Sequence, residues 1–127
     1  MSPPSAPPPV VALMLKAPRP GQVKTRLAAE LGAAAALRVY RALVERQMAA
    51  IPPDWPVEIH HAPAADDAAA DFRAWLGPRP ALHPQCEGDL GARLDHAAAG
   101  TFARGAPGGV LVIGGDCPEL GEATLRV

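Results

Sequence analysis

Apolar and polar positions alternate along this chain in two distinct rhythms. Val10 to Lys16, VVALMLK, is a continuous apolar run with a β-branched start, the pattern of a strand buried on both faces. After a Pro/Gly loop, KTRLAAELGAAAALRVYRALVERQMAAI has the Ala, Leu, Glu and Arg content of helix, and Gly32 divides it into a short first helix and a longer second one. Leu37, Tyr40, Leu43, Val44 and Met48 recur at helical spacing and predict its buried stripe. PPDW ends the helix, and VEIHHA predicts a second strand. DDAAADFRAWLG opens on acidic residues, carries an apolar stripe at Phe72, Trp75 and Leu76, and closes on glycine, so both ends of a third helix are marked. ALHPQC is a short strand or extended segment interrupted by Pro84. GDLGARLDHAAAGTFARG predicts a helix with Asp89 near its start. Val110 to Ile113 then predicts a strand that runs into a Gly-Gly-Asp turn, and ELGEATLRV the start of a further helix.

The order of elements is β-α-β-α-β-α-β-α. Strands alternating with helices imply crossover connections, and hence an α/β fold: a mostly parallel sheet in a three-layer α/β/α arrangement. At 127 residues one domain is expected, with residues 1–8 as a disordered proline-rich tail and residues 9–127 as the folded part. Aromatic residues make up only 4%, so the core has to be built from Leu, Val, Ile and Ala. A formal charge of −1 gives no global field to draw in nucleic acid or acidic lipid, and neither is expected as a partner. No apolar run approaches the ~20 residues that span a bilayer. The N-terminus lacks the basic start and continuous apolar stretch of a secretory leader. A cytoplasmic protein is expected, with Cys86 and Cys117 as reduced packing thiols.

Ligands of open parallel sheets bind beyond the carboxyl ends of the strands. Two polar loops fall there, Lys16 to Arg26 after the first strand and Gly114 to Glu119 after the last. Gly21, Lys24 and Thr25 stand close together, as in a phosphate-binding loop. A Walker A loop, however, has glycine immediately before the lysine, where this chain has Val23, and the prolines at 18 and 20 supply no amide to a phosphate nest. No G-x-G-x-x-G fingerprint follows the first strand either. What remains is a stiff loop carrying the cations Lys16, Arg19, Lys24 and Arg26, with Thr25 placed to cap the next helix or offer a hydroxyl. The amides of that helix start would add to an anion site, and the alternative is a solvated basic loop. In the acidic loop, Asp116 is placed either to hold Mg²⁺ or Mn²⁺ or to cap the next helix. In QCEGDLGARL, Gly88 and Gly91 allow close approach of a ligand, while Asp89 and Arg93, four apart, can pair on one helical face. His60 and His61 point to opposite faces of a strand, and His83 with Cys86 is too small a set for zinc.

Three of these stretches, KAPRPGQVKTRLAAELG (16–32), QCEGDLGARL (85–94) and VLVIGGDCPEL (110–120), together resemble the rSAM/selenodomain-associated transferase 1 family of glycosyltransferases. That family belongs to the nucleotide-diphospho-sugar transferase superfamily with a GT-A fold, and the likeness covers nearly everything after the tail. It implies a nucleotide lying across the first motif, with Lys24 and Arg26 near its phosphates, Gly88 to Arg93 near the base or ribose, and Asp116 in the place of the metal-binding acid. Lys16, Gly21, Lys24, Thr25, Arg26, Gly88, Asp89, Gly91 and Arg93 are then the expected nucleotide- and phosphate-binding set, with Mg²⁺ or Mn²⁺ at Asp116. The implied activity is transfer of a sugar or a nucleotide from a nucleotide-sugar or nucleoside triphosphate to an acceptor. Members of the family continue with further strands and a G-P-A-x-D-G-G-Y-like stretch, which this sequence does not contain, so a domain incomplete on its C-terminal side is expected. The alternative is a non-catalytic nucleotide-binding or interaction module, its open sheet edge paired in a homo-oligomer.

Overall fold

A computed structural model describes residues 7–21 and 23–114. The elements run β1 (Val10–Lys16), α1 (Thr25–Leu31), α2 (Ala33–Ala50), β2 (Val57–Ala62), α3 (Asp66–Leu76), β3 (Ala81–Pro84), α4 (Leu90–Ala103) and β4 (Val110–Gly114). The helix expected in ELGEATLRV lies outside the described residues, as do residues 1–6 of the tail. Pro7 and Pro8 run against Gly108, where a Cβ would collide with their backbone oxygens.

All three strand pairings are parallel, in the order β3-β2-β1-β4. The first two crossovers step outward on one side of β1, and the third, through α4, carries the chain back to the other side. Right-handed connections moving in opposite directions must place their helices on opposite faces, which gives the three layers. The carboxyl ends of β1 and β4, where the strand order reverses, flank the topological switch point.

Alternation along β1 sorts the core. Val11, Leu13 and Leu15 join Val57 and Ile59 of β2 in a buried cluster with Tyr40, Val44 and Met48 of α2 and Ala68 and Phe72 of α3. Phe72 is fully buried, worth about 2–3 kcal/mol of apolar transfer. The predicted stripe of α2 is present, with Leu37 and Leu43 half-buried, and it widens to Ala36 and Gln47. Gln47 Nε2 donates to Gly114 O at 3.3 Å, tying α2 to the end of β4. The C-terminus of α2 is closed by Arg79, whose guanidinium donates to Met48 O, Ile51 O and, at 2.8 Å, Pro52 O. Trp75 bridges α3 to α2 by donating to Glu45 Oε1 at 3.0 Å, with the Arg41 guanidinium 5.4 Å from its ring centre.

The opposite face is polar at its centre. Glu58 of β2 is buried against α4, accepting from Arg104 (2.7 Å), Thr101 (2.8 Å) and His60 Nε2 (3.0 Å). Burial alone would raise this carboxyl, but the hydrogen bonds from Arg104, Thr101 and His60 outweigh it and bring it down to about 2. His60 and His83, with ring centres 5.4 Å apart, are both shifted down, chiefly by burial. This cluster fixes α4 to the sheet.

Candidate functional site

The site begins where β1 ends. Leaving the sheet at Lys16, the chain passes Ala17 and Pro18, both buried, turns at Pro20–Gly21, and enters α1 at Thr25. Gly21 sits at φ 78°, a left-handed conformation that suits glycine, and its part is that of the turn. Lys24 adopts φ 51°, ψ 48°, a left-handed geometry that is uncommon outside glycine, asparagine and aspartate.

Lys24 therefore occupies the N-cap position, and Thr25 is the first helical residue rather than the cap. No side-chain hydrogen bond from Lys24 caps α1. At seven residues α1 is also too short for an appreciable dipole, so the helix start is not an anion site in its own right.

Between this loop, α1 and α2 lies a cavity of about 610 Å³. Met14, Leu15 and Lys16 form its floor, Val23, Lys24, Thr25, Arg26 and Glu30 one side, and Val39 and Tyr40 the other. Its size suits a nucleotide-sized ligand. Lys16, Lys24, Thr25 and Arg26 are thus brought together around one space beside the switch point, whereas Gly21 is not part of the lining. Among the described residues the lining holds three cations and one carboxylate, Glu30. No carboxylate pairs with Lys16 or Arg26 among the described residues.

Arg19 is not part of this group. Its Nε donates to Asp71 Oδ2 at 3.1 Å and its NH2 lies 3.2 Å from Asp67 Oδ2, so it fastens the loop to the first two turns of α3. The four-cation loop expected from sequence divides into three residues at the cavity and one tether.

QCEGDLGARL lies at the same edge of the sheet, beyond β3. Gly88 has φ 124°, and a Cβ there would come within 3.2 Å of Ala92 Cβ, so the glycine serves the close turn into α4. Gly91 lies in the first turn of α4 near Asp89. The expected Asp89–Arg93 pair is not formed. Asp89 is the N-cap of α4, its Oδ1 accepting from Ala92 N at 2.8 Å, because the orphan amides of a helix start lie closer to an N-cap carboxylate than a side chain one turn on. Arg93 instead donates to Gln85 Oε1 at 3.3 Å, and its buried Nε has no hydrogen-bond partner among the described residues.

Sequence reasoning passed over Gln85, although it opens the motif QCEGDLGARL. Its side-chain amide donates to His60 O (2.7 Å) and Leu15 O (3.5 Å), and its backbone N to His61 O (2.9 Å).

Asp116 and Cys117 lie outside the described residues. Gly114 is paired with Met14 at the last described position of β4, and Asp116 follows it by two in the sequence. Among the described residues no group of three His, Cys, Asp or Glu side chains is arranged to hold a metal. The lining of the cavity suits an anion. No helix among the described residues is long and apolar enough to cross a membrane.

Comparison with known proteins adds three findings. The family model "Uncharacterized protein conserved in bacteria (DUF2064)" matches residues 45–127. The structure superposes on the crystal structure of a "putative nucleotide-diphospho-sugar transferase" from Desulfovibrio desulfuricans G20 with a TM-score of 0.83 at 30% identity, covering 92% of this chain and 51% of that one. The chain therefore spans about half the length of the structure it matches. No protein of curated function matches it by sequence. The fold is that of the nucleotide-diphospho-sugar transferases, as the sequence motifs imply.

Proposed function

Since the chain belongs to the DUF2064 family of bacterial proteins and shares its fold with the Desulfovibrio protein, we propose that it forms the nucleotide-binding part of a glycosyl- or nucleotidyltransferase. The ligand is a nucleotide-sugar or nucleoside triphosphate, and the narrower likeness to the rSAM/selenodomain-associated transferases is part of this proposal. One observation carries it: Lys16, Lys24 and Arg26 line one cavity beside the point where the strand order reverses. Phosphates are the anions such a cluster suits, with arginine able to grip two oxygens and lysine supplying compact charge. Thr25 offers a hydroxyl to the same group. The segment from Gly88 to Arg93 follows β3 at the same carboxyl edge of the sheet and adds a further cation, Arg93, to that edge.

Transfer from a diphosphate requires stabilisation of the charge on the departing group, and these cations would contribute to it. A Mg²⁺ or Mn²⁺ ion held through Asp116 would supply further positive charge there. An acceptor that attacks directly needs no nucleophile from the protein.

The test is a thermal unfolding scan of the chain with UDP-, GDP- and dTDP-sugars, with and without Mn²⁺. A ligand at ~100 times its dissociation constant adds about 2.7 kcal/mol, which raises the melting temperature by several degrees. A rise with one nucleotide family supports the proposal and names the base. A rise without turnover on any acceptor supports the non-catalytic module. A transition indifferent to every ligand overturns nucleotide binding.

A further inference from the structure

Gln85 joins three parts of the fold that meet at the edge of the site. Its carboxamide has two N–H donors and one oxygen. The NH₂ group is directed at two strand-end carbonyls, His60 O at 2.7 Å in β2 and Leu15 O at 3.5 Å in β1. That fixes the amide orientation, since a flip would set Oε1 against two carbonyl oxygens. The oxygen is left for α4, and Arg93 NH1 donates to it at 3.3 Å. Leu15 itself lines the cavity, so Gln85 ties Arg93 to the strand that floors it.

Arg93 is an unusual cation for its setting. It is half-buried, one turn into α4, and no carboxylate pairs with it among the described residues. Asp89, the acid one helical turn before it, is occupied by Ala92 N. Its Nε is buried with no hydrogen-bond partner among the described residues. A buried donor left without a partner costs stability. An arginine oriented by a neutral amide, and not by an acid, keeps its full charge for an anion.

We infer that Gln85 is a positioning residue: it holds Arg93 un-neutralised at the carboxyl edge of β1 and β2 so that its guanidinium can take an oxygen of the ligand's diphosphate. This rests on the reading of the cavity as a nucleotide site and adds to it a residue that acts only through another. A glutamate could not substitute, because its carboxylate would face the carbonyls of Leu15 and His60 and would neutralise Arg93.

The experiment is a double-mutant cycle on the whole chain, Gln85→Ala and Arg93→Ala singly and together, read by calorimetric titration with inorganic pyrophosphate in Mg²⁺. Pyrophosphate carries the anion common to every nucleotide-sugar and no base. Arg93→Ala is expected to weaken binding about tenfold or more and Gln85→Ala about fivefold, with no further loss in the double variant. Independent losses that add would overturn the positioning role. Gln85→Glu serves as a second variant that keeps the volume: a weakening of about tenfold supports the inference, and unchanged affinity makes Gln85 mere packing. Failure of the wild-type chain to bind pyrophosphate overturns this inference by itself. The nucleotide-sugar scan decides separately whether the site reading falls with it.

Discussion

The phenolic hydroxyl of Tyr40 donates to the backbone oxygen of Lys16. The last residue of β1 is thereby held by a side chain of α2 that is only 5% exposed and itself lines the cavity. The strand end that carries a candidate phosphate ligand is thus set by a helix packed on the core. Tyr40→Phe keeps the ring and its contact with Trp75, 6.2 Å away between centres, and removes only the hydroxyl. It is expected to cost about 1 kcal/mol and to lower the melting temperature by about 4 °C. It should also weaken nucleotide-sugar binding a few-fold. An unchanged melting temperature would show that water replaces the phenol at Lys16.

The division of the basic loop gives a direct contrast. Arg19→Ala releases the loop from Asp67 and Asp71 but removes nothing from the cavity. Arg26→Ala removes a cavity cation that has no carboxylate partner among the described residues. Pyrophosphate affinity should change less than about twofold in the first and fall about tenfold in the second. Salt will weaken the wild-type interaction, as screening of exposed charge requires. Equal losses in the two variants would return Arg19 to the site.

Lys24 combines a charge with a left-handed backbone, and the two can be separated. Glycine accepts φ 51° without a Cβ clash, whereas a β-branched residue does not. Lys24→Gly and Lys24→Val lose the same charge. Chemical denaturation should find the valine variant less stable than the glycine variant by about 1–2 kcal/mol, while both bind pyrophosphate with similarly reduced affinity. If valine is as stable as glycine, the loop has relaxed and the strain is not held.

The elements were legible in the sequence wherever the signal was local. The apolar run of β1, the glycine break at Gly32 and the acid-to-glycine frame of α3 all depend on neighbours in the chain, and the observed bounds follow them. The cationic lining of the cavity was legible too, because Lys16, Lys24, Thr25 and Arg26 are close in sequence. What escaped depends on partners brought together by folding. Arg19 is taken by Asp71, 52 positions on, and Glu58 by Arg104, 46 positions on. Gln85 gains its role from carbonyls of two strands that its own segment does not contain. Asp89 and Arg93 have the spacing of an ion pair, but an unsatisfied amide at the helix start outcompeted the arginine. Spacing proposes such contacts, and the demand of backbone groups for partners decides among them.

The buried cluster beneath α4 makes a prediction about acid. His60 and His83 are shifted below the ordinary 6.5, chiefly by burial, so the unfolded chain takes up protons that the folded one resists. The stability they contribute is complete above pH 6.5 and is lost as pH falls below it. The groups facing them are Glu58 on β2 and Arg104 and Thr101 on α4, while His61 lies on the other face of β2 against Phe72. Glu58 acts lower down: with its carboxyl moved from 4.5 to about 2, its contribution is intact above 4.5 and is lost only between there and 2. Urea unfolding should therefore show stability declining as pH falls below 6.5 through the imidazoles, with a further decline below 4.5 through the carboxylate. His83→Asn, at a half-buried position, should reduce the first decline to the part due to His60 and leave the second. Glu58→Gln should remove the second and cost about 1–3 kcal/mol at neutral pH, since Arg104 and Thr101 lose a charged acceptor. A wild-type profile flat between pH 6.5 and 4.5 would mean that both imidazoles protonate in place, and the cluster would then be an adaptable network rather than a fixed one.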